Sequence, residues 1–156
     1  MDKTIIWYES ELLKIIFSDT PHVCVRYILP TYTEEEKKSI KKYPFICKTK
    51  LDVQLIDYVK DRTYGFSIPK GYCYDGASIP RLFWRFIGAP TDNAFLIPAL
   101  VHDTLCEHHE YVDNDRAFST DVFNALLYVS DVSDFKRFFM KNSVGFWQTV
   151  RGGWKK

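Results

Sequence analysis

The apolar positions of this chain follow two rhythms, and the change falls past its middle. From Lys50 to Ile68 the period is two: "LDVQLIDYV" sets Leu51, Val53 and Leu55 on one side, "KDRTYG" turns and "FSI" returns. That pattern predicts a β-hairpin with one buried face. Upstream, "HVCVRYIL" alternates as a strand and stops at Pro30. "TIIWYESELLKIIF", with Ile5, Ile6, Leu12, Leu13, Ile15 and Ile16, suits a helix or a strand equally. "TYTEEEKKSIKKY" offers Thr31 or Thr33 as a helix cap, with acids first and lysines last, as the helix dipole favours. It predicts a short solvated helix or an exposed loop, its charge run a wet face.

Downstream the rhythm turns helical. Pro98 suits a first helical turn, and "ALVHDTLCEHH" follows without a breaker. Asp113 or Asp115 can cap a second helix, "RAFSTDVFNALLYV". A third, "DFKRFFMKNSVGFW", starts near Ser133 and leads into the basic tail "RGGWKK". Between the two rhythms lies "PKGYCYDGASIPR", whose Tyr72, Tyr74 and Ile79 are too apolar to leave in water. An ordered loop folded over the first half of the histidine-bearing helix is expected there. The fold class is therefore α+β: a small antiparallel β-sheet or hairpin, then a helical bundle. Residues 1–156 read as one domain, with 1–49 an N-terminal extension and 50–156 the core.

Composition narrows the function classes without choosing one. The net charge of +1 gives no global pull toward nucleic acid, although the last helix and tail interleave Lys136, Arg137, Lys141, Arg151, Lys155 and Lys156 with aromatics. Cys24, Cys47, Cys73 and Cys106 stand apart, so a reducing compartment is expected and no disulfide framework. No apolar run is long enough to span a membrane, and the first residues lack the apolar core of a secretory signal. Aromatics reach 17%, enough for a thick core, an adhesive interface or both.

The candidate chemistry concentrates in "LVHDTLCEHHEYVDND". On the first helix Ala99, His102, Cys106 and His109 share a face; on the second, Phe118, Val122, Ala125 and Val129 form an apolar stripe along which Asp121 also points. The connection is short, so the helices should lie antiparallel. His102 and Asp121 are each about seven residues, roughly 10 Å, from it. Their heights match, and a His102–Asp121 hydrogen bond is expected. A carboxylate holding one imidazole nitrogen leaves the other free as a general base. Asp103 points about 100° away and could hold a divalent cation beside that base. A His–Asp bond that only locks two helices fits the same residues. His108 and His109 suit a helix end, and a zinc site from His102, Cys106 and His109 would need help from another element.

Two blocks carry a family resemblance. "IPKGYCYDGASIPRLFWRFIGAPTD" and "ALVHDTLC", followed by Asp121 and Phe123 on the next helix, resemble domain of unknown function thirteen-fifty-three, a phage and prophage family. Cys106 stands where that family usually has a tyrosine. The resemblance implies a phage or prophage source, and so synthesis in a host bacterial cytoplasm, but neither an activity nor a place in the virion. More remotely, the histidine–aspartate helix resembles phospholipases of the A-two type. That likeness implies His102 activating a water, Asp103 binding calcium and Asp121 orienting His102. In "YDGASIPR", Asp75, Ser78 and Arg81 can line a cleft by His102, or simply build a rigid turn.

Two readings follow. One is a phage hydrolase using a divalent cation, calcium or zinc, on a lipid or cell-envelope substrate. The other is a non-catalytic virion protein whose partners are other virion proteins and whose His–Asp pair is structural.

Overall fold

The structure is a computed structural model, and the residues described are 4–74 and 93–129. In chain order they form β1 (Ile5–Glu9), β2 (Leu13–Phe17), β3 (Val23–Val25), α1 (Glu34–Lys42), β4 (Phe45–Cys47), β5 (Leu51–Asp57), β6 (Arg62–Ile68), β7 (Cys73–Tyr74), α2 (Asn93–Glu107) and α3 (Arg116–Val129). A 3-10 turn, His109–Val112, joins the last two helices. The strands make two antiparallel sheets, ordered β1-β2-β5-β6 and β3-β4-β7, so the class is α+β with strands before helices. Among the described residues no helix is long and apolar enough to cross a membrane. The third helix expected near Ser133 lies outside the described residues.

The larger sheet follows from period two. Leu13, Ile15 and Phe17 of β2, Leu51, Val53 and Leu55 of β5, and Tyr64, Phe66 and Ile68 of β6 are all buried. The intervening positions of β5 and β6 are mostly exposed, as a one-sided sheet requires. The ambiguous "TIIWYESELLKIIF" is a hairpin because Ser10 makes its turn. The Ser10 hydroxyl oxygen accepts from the backbone N–H groups of Leu12 (3.1 Å) and Leu13 (3.3 Å). A register slip between Ile6 and Tyr8 accompanies Trp7, whose ring lies 5.2 Å from that of Phe17. Nor are residues 1–49 an appendage: β2 pairs with β5 from Leu13↔Asp57 to Phe17↔Val53, in the middle of the sheet. Helix α1 is capped by Thr33, which accepts from the Glu36 N–H at 3.1 Å, and buries only Ile40.

Helix α2 starts at Asn93, which puts Pro98 inside it, not in its first turn. A proline this early removes a single intrahelical hydrogen bond, and burial outweighs the loss: every position from Pro98 to Leu105 is buried. The sheet packs on the helices through Tyr64–Phe118 and Phe66–Tyr111, at 5.5 and 5.2 Å between rings. The connection between α2 and α3 is held from the sheet side. Asp113 and Asn114 take left-handed φ values of 54° and 60°, conformations Asp and Asn tolerate better than other side-chain-bearing residues. Asp115 then caps α3, its Oδ1 accepting from the Phe118 N–H at 3.0 Å while Oδ2 meets Lys60 Nζ. Arg62 reaches Asp113 at 3.5 Å. The tip of the β5–β6 hairpin is thus tied to the helix connection.

Burial works to raise the Asp115 pKa, but Lys60 and the capping N–H outweigh it and hold the carboxyl below its ordinary value. A depressed folded pKa adds stability above the unfolded value that is lost as pH falls through the folded one. Asp115→Ala should cost about 1–2 kcal/mol in urea unfolding at neutral pH, and this difference should shrink below about pH 4. Asp115→Asn, which can still cap, should recover most of it.

Candidate functional site

The site residues sit on the most enclosed element. His102 is 3% exposed and Asp103 8%. As neighbours on a helix they diverge by about 100°, and the surroundings reflect it. His102 faces α3: its ring centroid is 4.7 Å from that of Phe123. The Cys106 sulfur, one turn on, lies 3.6 Å from His102 Nδ1. Asp103 acts on β7, where its charge contributes to raising the pKa of the Tyr74 phenol after the larger effect of burial. It acts likewise on Tyr72, behind burial and Glu107. Tyr74 donates to the Leu96 carbonyl at 2.9 Å, fastening β7 to the first turns of α2. The His102 Nδ1 to Asp103 Oδ1 separation is 4.0 Å, close but beyond hydrogen-bond length. Desolvation lowers the His102 pKa to about 4, so the imidazole is neutral at neutral pH.

Asp121 is not where helix spacing put it. It is exposed, and it lines an open groove of about 500 Å³ with Ser10, Lys60, Asn124 and Tyr128. The reason is a rotation of the buried face. Phe118, Val122 and Ala125 are buried as expected, but so are Ser119, Phe123, Leu126 and Leu127, while Val129 is 38% exposed. The face is centred nearer Ser119 and Leu126 than the Phe118–Val129 stripe implied, which moves Asp121 to its margin and brings Phe123 over His102. No His102–Asp121 hydrogen bond is seen among the described residues, and the α3 side chain that meets the His102 ring is Phe123. A fit to all apolar positions of α3, Phe123 and Leu126 included, carried that signal.

Other expectations divide. His109 lies beyond the end of α2 and hydrogen-bonds Asn114 across the connection, which separates it from the His102–Cys106 face. Among the described residues no three His, Cys, Asp or Glu side chains gather as metal ligands. Calcium or zinc at Asp103 would need donors from elsewhere in the chain. His108 stacks on Tyr111 at 5.0 Å and sits 3.4 Å from Glu110. Asp75, Ser78 and Arg81 lie outside the described residues, as does all of the "YDGASIPR" loop beyond Tyr74. Tyr72 and Tyr74 pack toward α2.

Residues 51–144, more than half of the chain, match the family described as "Protein of unknown function (DUF1353)". The chain belongs to that family. The family match begins where β5 begins and includes both helices of the candidate site. Two curated relatives come from Sinorhizobium fredii (strain NBRC 101917 / NGR234). "Uncharacterized protein y4jT" is 48% identical over 40 residues, 26% of this chain and 12% of that protein. "Uncharacterized protein y4iH" is 36% identical over 52 residues, 33% of this chain and 22% of that protein. The chain thus aligns with less than a quarter of either relative's length. No solved structure gives a significant match.

The lowered His102 pKa gives a pH signature with a definite sign. Between about pH 4 and the ordinary 6.5 the unfolded chain binds a proton that the folded chain refuses, so stability rises with pH across that window. The two values imply a contribution of about 3 kcal/mol, complete above pH 6.5 and lost toward pH 4. Urea unfolding of wild type against His102→Gln at pH 7.5 and 5 should show the variant with the weaker acid dependence. Equal slopes would mean that His102 titrates normally in the fold.

Proposed function

We propose that this family member is a non-catalytic bacteriophage accessory protein, built into or onto the virion, that acts through its surfaces. The observation that carries the reading is the enclosure of His102. Its ring is 3% exposed and packs against Phe123, and Asp121 opens onto a different groove. The imidazole, Asp103 and Cys106 then serve to fix α2 between α3 and β7. Two groups of exposed apolar side chains add support. Leu12, Val59 and Tyr128, at 62, 72 and 60% exposure, rim the Asp121 groove. Val25, Tyr27 and Leu29 border a second hollow beside β3. Such surfaces suit contacts with other virion proteins better than they suit life as an isolated enzyme. The phage assignment rests on the resemblance of the "YDGASIPR" and histidine blocks, and with it goes synthesis in a host bacterial cytoplasm.

A second reading is favoured by one feature. Asp103, next to His102 in the chain, acts on β7, which leads directly in sequence into Asp75, with Ser78 and Arg81 shortly after it. On that reading His102 is the base of a hydrolase, Asp103 helps hold calcium or zinc, and the substrate is a phospholipid or an envelope ester or amide.

One experiment separates the two. Wild type, His102→Gln and Asp103→Asn are compared for thermal midpoint and for hydrolysis of phospholipid vesicles and peptidoglycan, each with calcium or zinc. The structural reading expects no turnover by any of them and midpoints lowered by roughly 5 °C or more in the variants. Metal-dependent turnover by wild type, abolished in His102→Gln with its midpoint preserved, would overturn it.

A further inference from the structure

The smaller sheet ends in an open edge. Strand β3 lies at one side of the order β3-β4-β7, and in an antiparallel pair alternate residues bond the neighbouring strand. The Arg26 N–H donates to the Pro44 carbonyl at 2.7 Å, and the His22 carbonyl accepts from the Lys48 N–H at 2.7 Å. Cys47, opposite Val23, turns its N–H and C=O the other way, to Tyr72 and Gly71, at 2.8 Å each. His22, Cys24 and Arg26 therefore bond toward β4, and Val23, Val25 and Tyr27 point their amides and carbonyls outward. That side is open to solvent: Val25 is 45% exposed and Tyr27 78%.

Edges of this kind are ordinarily blunted by lysine, proline or a bulge. Between Pro21 and Pro30 runs "HVCVRYIL", without Lys, Asp, Glu or Pro, and β3 meets β4 in unbroken register. Its arginine turns inward, Arg26 Nη1 donating to the Tyr43 carbonyl at 3.0 Å. So neutral an edge calls for no charged partner, but it matches itself. Laid antiparallel on a second copy about Val25, it sets Val25 against Val25 and Val23 against Tyr27, all residues whose backbone groups already point outward. Each of those N–H and C=O groups then has a partner. Val23 and Val25 stand on the face of their buried β4 neighbours Cys47 and Phe45, so the paired side chains extend the apolar side of the sheet. Cys24 falls opposite Arg26, and no like charges are opposed. The flanking prolines end the pairing, and its two-fold symmetry closes at two chains.

We propose that β3, with its continuation to Tyr27, is a self-association edge that joins two copies of this chain into one continuous antiparallel sheet. The inference goes beyond the virion reading and does not rest on it, since a scaffold and an enzyme can both pair in this way.

Sedimentation equilibrium of the full chain over a concentration series should show a monomer–dimer equilibrium. Val25→Lys sets two ammonium groups opposite each other at an exposed position. It should keep the thermal midpoint of dilute wild type and weaken dimerisation about tenfold or more. The register has its own test. In a Cys24→Ser background, Val25→Cys should form an interchain disulfide when diamide takes up the two thiol hydrogens, because facing residues of a hydrogen-bonded pair lie about 5.5 Å apart, within disulfide reach. Val23→Cys in the same background faces Tyr27 and should stay single. The proposal fails if the chain is monomeric up to about 0.5 mM, if Val25→Lys dimerises as wild type does, or if the two cysteine variants cross-link alike.

Discussion

A helix enclosed on every side must satisfy or neutralise each polar group it carries, and α2 is such a helix from Pro98 to Leu105. Its chemistry follows from that constraint. A charged imidazole in this setting would cost several kcal/mol, so His102 stays neutral and packs as an aromatic body against Phe123. Thr104 turns its hydroxyl back onto the Leu100 carbonyl. Tyr74 reaches in from the smaller sheet to meet Leu96. The imidazole attaches α2 to α3 and Tyr74 attaches it to the smaller sheet, while the Thr104 bond closes within the helix itself.

The same constraint divides what the sequence places side by side. His102 and Asp103 adjoin in the chain yet serve different interfaces, one with α3 and the other with β7. Asp121 belongs to a third environment, the groove between α3 and the β1–β2 hairpin. What looks like one acid–base constellation on a helical projection is three separate local problems in space. Membership in a family of unknown function adds a boundary to this picture, from β5 onward, without adding a chemistry.

How much was readable in advance depended on how one-sided each element is. The β5–β6 hairpin declared itself because its two faces meet different surroundings, whereas α1 stayed open between a helix and a loop, with Thr31 or Thr33 as its cap, because a solvated segment buries only Ile40. Tyr74 was visible as a buried loop residue, and Asp115 as one of two possible caps with Asp113. Helix α2 gave no angular signal, since an element buried all round has no preferred face, and the inward position of His102 carried little information there. On α3 a stripe drawn through four residues missed the weight of Phe123 and Leu126, and a modest rotation was enough to exile Asp121. The N-terminal hairpin depended on one serine turn, which periodicity cannot see.

The insertion of β2 between β1 and β5 has a consequence for how the chain must be handled. Strand β5 alternates cleanly over Leu51–Asp57, and its flank is sealed by a partner more than thirty residues upstream. Removing that partner would bare a row of unpaired amides along a flat strand rich in Leu, Val and Ile. This is the kind of edge that recruits copies of itself into intermolecular sheets. Strand β2 therefore shields the first strand of the family core, and a fragment cut at the family boundary would be expected to aggregate through β5.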